Sequence, residues 1–356
     1  MSPLMPVRWG IVATANIARR QFLPALAEAG GGRAVLVGGR DRRRAEDWAE
    51  AEGVERGVEG YEAVVTSPEI DAVYVALPNT FHAEWTLRAL EAGKAVLCEK
   101  LLCPTAAEAA PVLEAARRSN ALLWEAFVFP FQSQHARLLS IAASGEIGEV
   151  VEIVTAFHFR VTQPGNIRLA AELGGGALAD VGCYPVRLAQ ELYGAAPAAA
   201  GDTAGGGTAG GDTARGGTAG AAGLAPAVWC CARRGPSGVD VDSSAIVDWG
   251  ERRLVFSVSF GRAFDTHTRV LGTTGQITLT NPYHPGRADT LAIHPEGGEA
   301  RVEHPTLDER SFTATLRHIH RVLAGEEQPR HLAVHDTAAT LRVLDALQTA
   351  WRGEPA

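Results

Sequence analysis

Short apolar runs and amphipathic segments alternate along the first third of the chain. "VRWGIVA" (Val7–Ala13) is a near-continuous apolar run of strand length, and the helical pattern "NIARRQFLPALAEA" follows it. Further strand-like runs occupy Arg33–Gly39, Asp71–Pro78, Ala95–Lys100 and Ala121–Phe127, with helical stretches such as "DRRRAEDWAEAEG" between them. Apolar strands alternating with helices of about 10–15 residues predict βαβ units and a parallel, doubly wound sheet.

Beyond residue 127 the pattern changes. Glu149–Val161 reads as one long strand, and five shorter strand patterns follow over residues 226–234, 243–250, 253–261, 266–273 and 275–280. With no helices between them, they predict a large, mostly antiparallel open sheet. The chain ends in a helical pattern, "HDTAATLRVLDALQTAWRG", with Leu341, Leu344 and Leu347 on one side. Residues 1–127 and 128–356 are therefore expected to form two domains, α/β and α+β. Inside the second, 199–223 is a low-complexity insertion. Its tandem repeat, "GDTAGGGTAG" then "GDTARGGTAG" (201–220), lacks the apolar side chains to order itself and reads as flexible.

A length of 356 residues suits two domains, each with its own core. The net charge of −8, from 33 basic and 41 acidic residues, argues against nucleic-acid and anionic-membrane partners. No apolar run reaches the roughly 18 residues of a spanning helix. The start lacks the charged and apolar regions of a secretory signal. Five cysteines, odd in number and without C-x-x-C spacing, argue against a disulfide framework or zinc site. A reducing cytoplasm is the expected location.

The candidate chemistry sits where strands end. In "GIVATANIA" (Gly10–Ala18), Gly10, Ala13 and Ala15 keep the first strand-to-helix turn small, and Asn16 and Ile17 open the helix that would receive a pyrophosphate. After the second strand comes Arg40, where NAD enzymes usually place a ribose-binding acid. An arginine there favours NADP over NAD, with Arg42, Arg43 or Arg44 able to help; a solvated helix start is the alternative reading. Glu99 and Lys100 end another strand, where Lys100 either pairs with Glu99 or reaches a substrate. In "ELGGGALADVGCYPVRLAQEL" (Glu172–Leu192), Gly174, Gly175 and Gly176 mark a close approach of some kind, and Asp180 and Tyr184 lie four apart on an otherwise apolar stretch.

"GIVATANIA", "VALPNTFHAEWTLRALEAGKAVLCEK", "SGEIGEV" and "ELGGGALADVGCYP" occur together in the order of the glucose–fructose oxidoreductase/inositol dehydrogenase (Gfo/Idh/MocA) family. The chain resembles that family over nearly its whole length. The branch it resembles holds dimeric dihydrodiol dehydrogenases, NADP-dependent xylose dehydrogenases and nucleotide-sugar ketoreductases. The resemblance implies a Rossmann domain followed by an open-sheet domain that binds substrate and pairs with another subunit, giving a homodimer or homotetramer. It makes Lys100, Asp180 and Tyr184 catalytic, with Arg168, Asp180 and Tyr184 meeting the substrate. Leu77, Pro78, Asn79, His82, Glu99 and Lys100 would line the cofactor cleft, His82 serving equally well as a helix-start cap. Arg168 would hold a polyol or phosphate, or form a structural ion pair.

The implied roles are specific. Tyr184 exchanges a proton with the reacting oxygen, Lys100 polarises that oxygen and Asp180 orients a neighbouring hydroxyl, while the glycines admit substrate and nicotinamide close to the backbone. A neighbouring Lys100 ammonium would bring the phenol toward its working range. Leu101, where the family has proline, suggests a looser turn around Lys100. Pro185 raises the question whether Asp180 and Tyr184 share a helical face. No metal site is expected, although His331 and His335 have i, i+4 spacing; His318 and His320 read as surface residues. The leading function is NADP-dependent hydride transfer to or from a sugar or vicinal diol. The alternatives are a ketoreductase for a nucleotide-linked keto-sugar and a non-catalytic NADP-binding regulator.

Overall fold

The structure is a computed structural model and describes residues 5–119, 121–195 and 225–353; the 201–220 repeat lies outside the described residues. Six parallel strands form the first sheet: β1 (Val7–Val12), β2 (Gly32–Gly39), β3 (Arg56–Glu59), β4 (Ala72–Val75), β5 (Ala95–Cys98) and β6 (Leu123–Glu125). Their order, β3-β2-β1-β4-β5-β6, is that of a doubly wound dinucleotide fold, so the carboxyl ends of β1, β2, β4 and β5 share one edge. Strand β3 carries no apolar run. It is recruited by pairing with β2, and Gly57 lets the helix Arg42–Glu52 lie directly on it: a Cβ there would fall 2.2 Å from the Ala45 carbonyl.

The second sheet has nine strands: β7 (Val150–Arg160), β8 (Ala227–Arg234), β9 (Asp240–Asp248), β10 (Arg253–Ser259), β11 (Gly261–Asp265), β12 (Thr268–Gly272), β13 (Gly275–Leu279), β14 (Leu291–Pro295) and β15 (Arg301–Glu303). It runs β15-β14-β13-β12-β7-β10-β9-β8, with β11 also on β7. Only β10 and β7 pair in parallel; the other pairings are antiparallel. The helix Cys183–Ala195 packs on β7 and β10, and the turn before it, which carries Asp180, meets Lys100 at the carboxyl edge of β5, where the two domains join.

Two helices of the second domain, Ser133–Ser144 and Thr313–Leu323, were not expected from the sequence. Thr313–Leu323 returns to the first domain, where Phe312, Leu316 and Ile319 join a core built on Trp9, Phe22 and Tyr74. This overturns the reading of His318 and His320 as surface residues: both are buried. Trp9 Nε1 donates to His320 Nε2 at 2.9 Å, so the imidazole carries its proton on Nδ1, which donates to the Gly30 carbonyl at 2.6 Å. His318 pairs with Glu327 at 2.9 Å and accepts from the Arg330 amide. Two polar positions in an amphipathic helix look solvent-facing until tertiary partners satisfy them.

Candidate active site

The site begins with the turn after β5. Lys100 Nζ reaches across to the second domain and donates to the Asp180 carbonyl at 2.5 Å and to Asp180 Oδ1 at 3.0 Å. Asp180 Oδ2 accepts from Arg168 Nε at 2.5 Å. The same ammonium lies 5.1 Å from the centre of the Tyr184 ring. Lys100, Asp180, Tyr184 and Arg168 therefore form one cluster, and the possible pairing of Lys100 with Glu99 gives way to Asp180. Glu99 is engaged elsewhere, accepting from the Tyr74 hydroxyl at 2.6 Å.

Pro185 does not separate Asp180 from Tyr184. A π-helical turn, Leu178–Gly182, runs without a break into the helix Cys183–Ala195, whose first turn accommodates the proline. The turn around Lys100 is also well held. Leu101 and Leu102 are buried, the Leu102 amide donates to Glu125 Oε1 at 2.8 Å, and the Leu101 carbonyl meets His82 Nδ1 at 2.6 Å. The looseness expected from replacing proline is absent here.

The three glycines mark a close approach by the chain itself, not the approach of substrate that the family resemblance implies. Gly174 has φ of +73°, and a Cβ would lie 3.0 Å from that of Asn79. At Gly175 it would meet the Arg168 carbonyl at 2.5 Å, and at Gly176, with φ of +125°, Asp240 Oδ1 at 2.5 Å. The close approach is thus made by the chain itself, and it seats Asp180 opposite Lys100. Asn79 Nδ2 donates to the Gly174 carbonyl at 3.1 Å and ties the two domains together at this point.

Charge on the cluster follows from competition between burial and pairing. Burial alone would raise the Asp180 carboxyl and lower the Lys100 ammonium, but their mutual attraction, with Arg168 helping Asp180, reverses both directions. Asp180 is held below the usual carboxylate range and Lys100 above the usual ammonium range. For Tyr184 burial wins: the phenol is pushed up despite the nearby ammonium. This corrects the expectation that Lys100 would bring it down toward neutral pH. Phe127, Phe129, Phe157 and Tyr283 surround the Tyr184 ring at centroid distances of 5.3–6.2 Å and desolvate it.

At the adjoining carboxyl edge, the turn Ala13–Ile17 is open to solvent and leads into a helical segment whose N-cap, Ile17, makes no side-chain capping bond. Ala13 has φ of +88°. Gly10 is fixed by packing, since a Cβ would lie 2.5 Å from Val64 Cγ1. An uncapped, exposed helix start with small residues before it fits a pyrophosphate. Arg40 is exposed at the end of β2, and Asp41, the next residue, spends its carboxylate on the Arg44 amide at 2.8 Å as a helix cap. The edge thus offers cations where a 2′-phosphate would sit. Leu77, Pro78 and Asn79 are half-buried along the β4 turn. His82 is buried deeper, its two ring nitrogens facing the Leu77 and Leu101 carbonyls at 2.7 and 2.6 Å, so it joins the β4 and β5 turns from beneath.

These two motifs, read together with the fold, match known proteins. Residues 7–127 match an oxidoreductase family with an NAD-binding Rossmann fold, and residues 135–278 match the Gfo/Idh/MocA C-terminal domain. The chain belongs to the Gfo/Idh/MocA family. It is 33% identical to dTDP-3,4-didehydro-2,6-dideoxy-alpha-D-glucose 3-reductase of Streptomyces violaceoruber, over 97% of this chain and 95% of that protein. It is 36% identical to D-xylose 1-dehydrogenase (NADP(+)) 2 of Haloferax volcanii over 52% of this chain and 57% of that one. Among solved structures, a 3-ketoreductase from Actinomadura kijaniata in complex with NADP and TDP-benzene superimposes with a TM-score of 0.80 at 27% identity, covering 97% and 98% of the two chains.

Sequence reasoning missed part of this family site. Phe127 and Phe157 carry no signal beyond apolar strand character, and Tyr283 and His284 lie in a loop with no motif; packing around Tyr184 brings all four together. His331 and His335 do not form a pair at the site. His331 instead joins Glu191 and Asp336, where the Arg187 guanidinium already sits 2.6 Å from both carboxylates. Among the described residues no helix is long and apolar enough to cross a membrane.

Proposed function

We propose that the protein uses NADPH to reduce a keto group on a nucleotide-linked sugar. The observation that carries this reading is the Tyr184 phenol, held protonated beside the Lys100 ammonium at the carboxyl edge of a dinucleotide fold. A protonated phenol is ready to give its proton to an oxygen that gains negative charge, which is what carbonyl reduction requires. NADPH, when bound, supplies the hydride.

Lys100 spends two of its three N–H bonds on Asp180, leaving one to orient and polarise the substrate oxygen. Asp180 keeps Lys100 charged and in place, and Arg168 anchors Asp180 from the other side. Ala13, Ala15, Asn16 and Ile17 form the pyrophosphate turn, with Gly10 in the strand that leads to it; Arg40 meets the 2′-phosphate; and Leu77, Pro78, Asn79 and Glu99 line the cleft, with His82 supporting it. The near-full-length similarity to a dTDP-keto-sugar reductase supports the nucleotide-linked class. Oxidation of an aldose is the second reading, supported by the shorter match to the xylose dehydrogenase. The open sheet supports pairing with a second copy of this chain: Trp229 on edge strand β8 is 57% exposed and faces Ile246, 37% exposed, on β9.

Two measurements test the reading. NADPH consumption is expected with a dTDP-linked 3-keto-2,6-dideoxyhexose, and no NADPH formation from NADP+ with D-xylose or a trans-diol; NADP+ reduction by the free sugar or diol alone would replace the nucleotide-linked class. Arg40→Ala should weaken NADPH binding by about 10- to 100-fold, the scale of a charged hydrogen bond, and leave NADH binding unchanged.

A further inference from the structure

His284 lies in the loop between β13 and β14 and faces the site from the second domain. Its backbone is fixed on both sides. Asn281 Oδ1 accepts from the His284 amide at 3.1 Å, and Asn281 Nδ2 donates to the His284 carbonyl at 2.6 Å. Gln134 Nε2 in turn donates to the Asn281 carbonyl at 2.8 Å. The preceding residue, Tyr283, is fully buried, stacks on Phe157 at 5.3 Å and shares a 2.7 Å hydrogen bond with Thr155. The loop is thus anchored as firmly as a strand end.

The ring itself is left free. It makes no side-chain hydrogen bond among the described residues, and His284 is exposed to solvent. Its centre lies 5.5 Å from that of Tyr184 and 6.2 Å from that of Phe157. A rigidly placed polar ring without a protein partner, next to the group that transfers the proton, has the arrangement of a ligand-binding side chain.

We propose that His284 is a substrate-binding residue that hydrogen-bonds a sugar hydroxyl close to the reacting carbon. This rests on the reading of the Lys100–Tyr184 pair as the site of sugar reduction. Desolvation of the ring and, second, the Lys100 ammonium press the imidazole below its ordinary pKa, which favours its neutral form. A neutral imidazole offers one donor and one acceptor, and a hydroxyl can use both. Its low basicity also leaves proton delivery to Tyr184. His284 therefore reads the sugar ring.

The test compares His284→Phe, which keeps an aromatic ring, with His284→Gln, which keeps a donor and an acceptor. With NADPH and the dTDP-linked keto-sugar, His284→Phe should raise KM by roughly 3- to 10-fold, the range of one neutral hydrogen bond, with kcat nearly unchanged. His284→Gln should recover most of that loss, and NADPH binding should be the same in all three proteins. An active wild type alongside a His284→Phe variant of unchanged KM overturns the role of His284 and leaves the proposed function standing. A wild type that binds NADPH but turns over neither the nucleotide-linked sugar, D-xylose nor a trans-diol overturns the proposed function, and this inference with it.

Discussion

Asp180 sits between two cations, with Lys100 Nζ 3.0 Å from one carboxylate oxygen and Arg168 Nε 2.5 Å from the other. The side chains of Lys100 and Asp180 are only 12% and 15% exposed, so solvent screens the pair weakly. Lys100 is on the first domain and Asp180 on the second, which makes this ion pair part of the bond between domains as well as part of the site.

Replacing Asp180 with Asn removes the charge and keeps the shape. Two neighbouring cations are then left without their counter-ion, and a loss of about 3–5 kcal/mol is expected from breaking such a buried pair. The pH dependence has a definite sign. Asp180 has a lowered pKa, so its contribution is present above the unfolded value near ~4 and fades as pH falls through the folded value. Lys100 has a raised pKa, so its contribution is complete below the unfolded value near ~10 and is lost as pH rises through the folded value. Thermal unfolding of the two proteins should therefore differ by a constant amount from about pH 5 to 9, and the gap should narrow in stronger acid. A gap that grows steadily across that window would place the relevant charge elsewhere.

Tyr184→Phe should lower kcat for reduction by about 10²- to 10⁴-fold, the usual share of a proton donor, while NADPH binds as before. Because burial raises the phenol, the wild-type reduction rate should show no loss from deprotonation of this group through pH 9. The reverse oxidation, which needs the phenolate, should keep rising with pH over the same range. A reduction rate that declines between pH 7 and 8 would mean that a different group donates the proton.

Gly176→Ala probes the glycine stretch without touching the reacting groups. The added methyl would meet Asp240 Oδ1 at 2.5 Å, in a backbone conformation with φ of +125° that alanine avoids. Asp240 also accepts from the Leu178 amide at 2.7 Å, at the start of the turn that carries Asp180. A loss of about 1–3 kcal/mol is expected, read as a lowered midpoint in urea. An unchanged midpoint would show that the stretch has room to spare.

The doubly wound sheet was legible because β1, β2, β4, β5 and β6 are apolar on both faces, a pattern that local sequence alone imposes on a buried parallel strand. Strands β3, β11, β14 and β15 were not, since none carries a sustained apolar run and each is held as a strand by pairing with its neighbour in the sheet. Lys100, Asp180 and Tyr184 could be picked out as residue types at the ends of strands and at helical spacing. Their mutual distances, the protonated state of Tyr184 and the true cause of the glycines could not. Hydrophobic period and turn residues are properties of neighbours along the chain, and the sequence by itself determined those. Burial, counter-ions and the return of the His284 loop depend on residues brought together across the domain junction, and only the tertiary structure decided them.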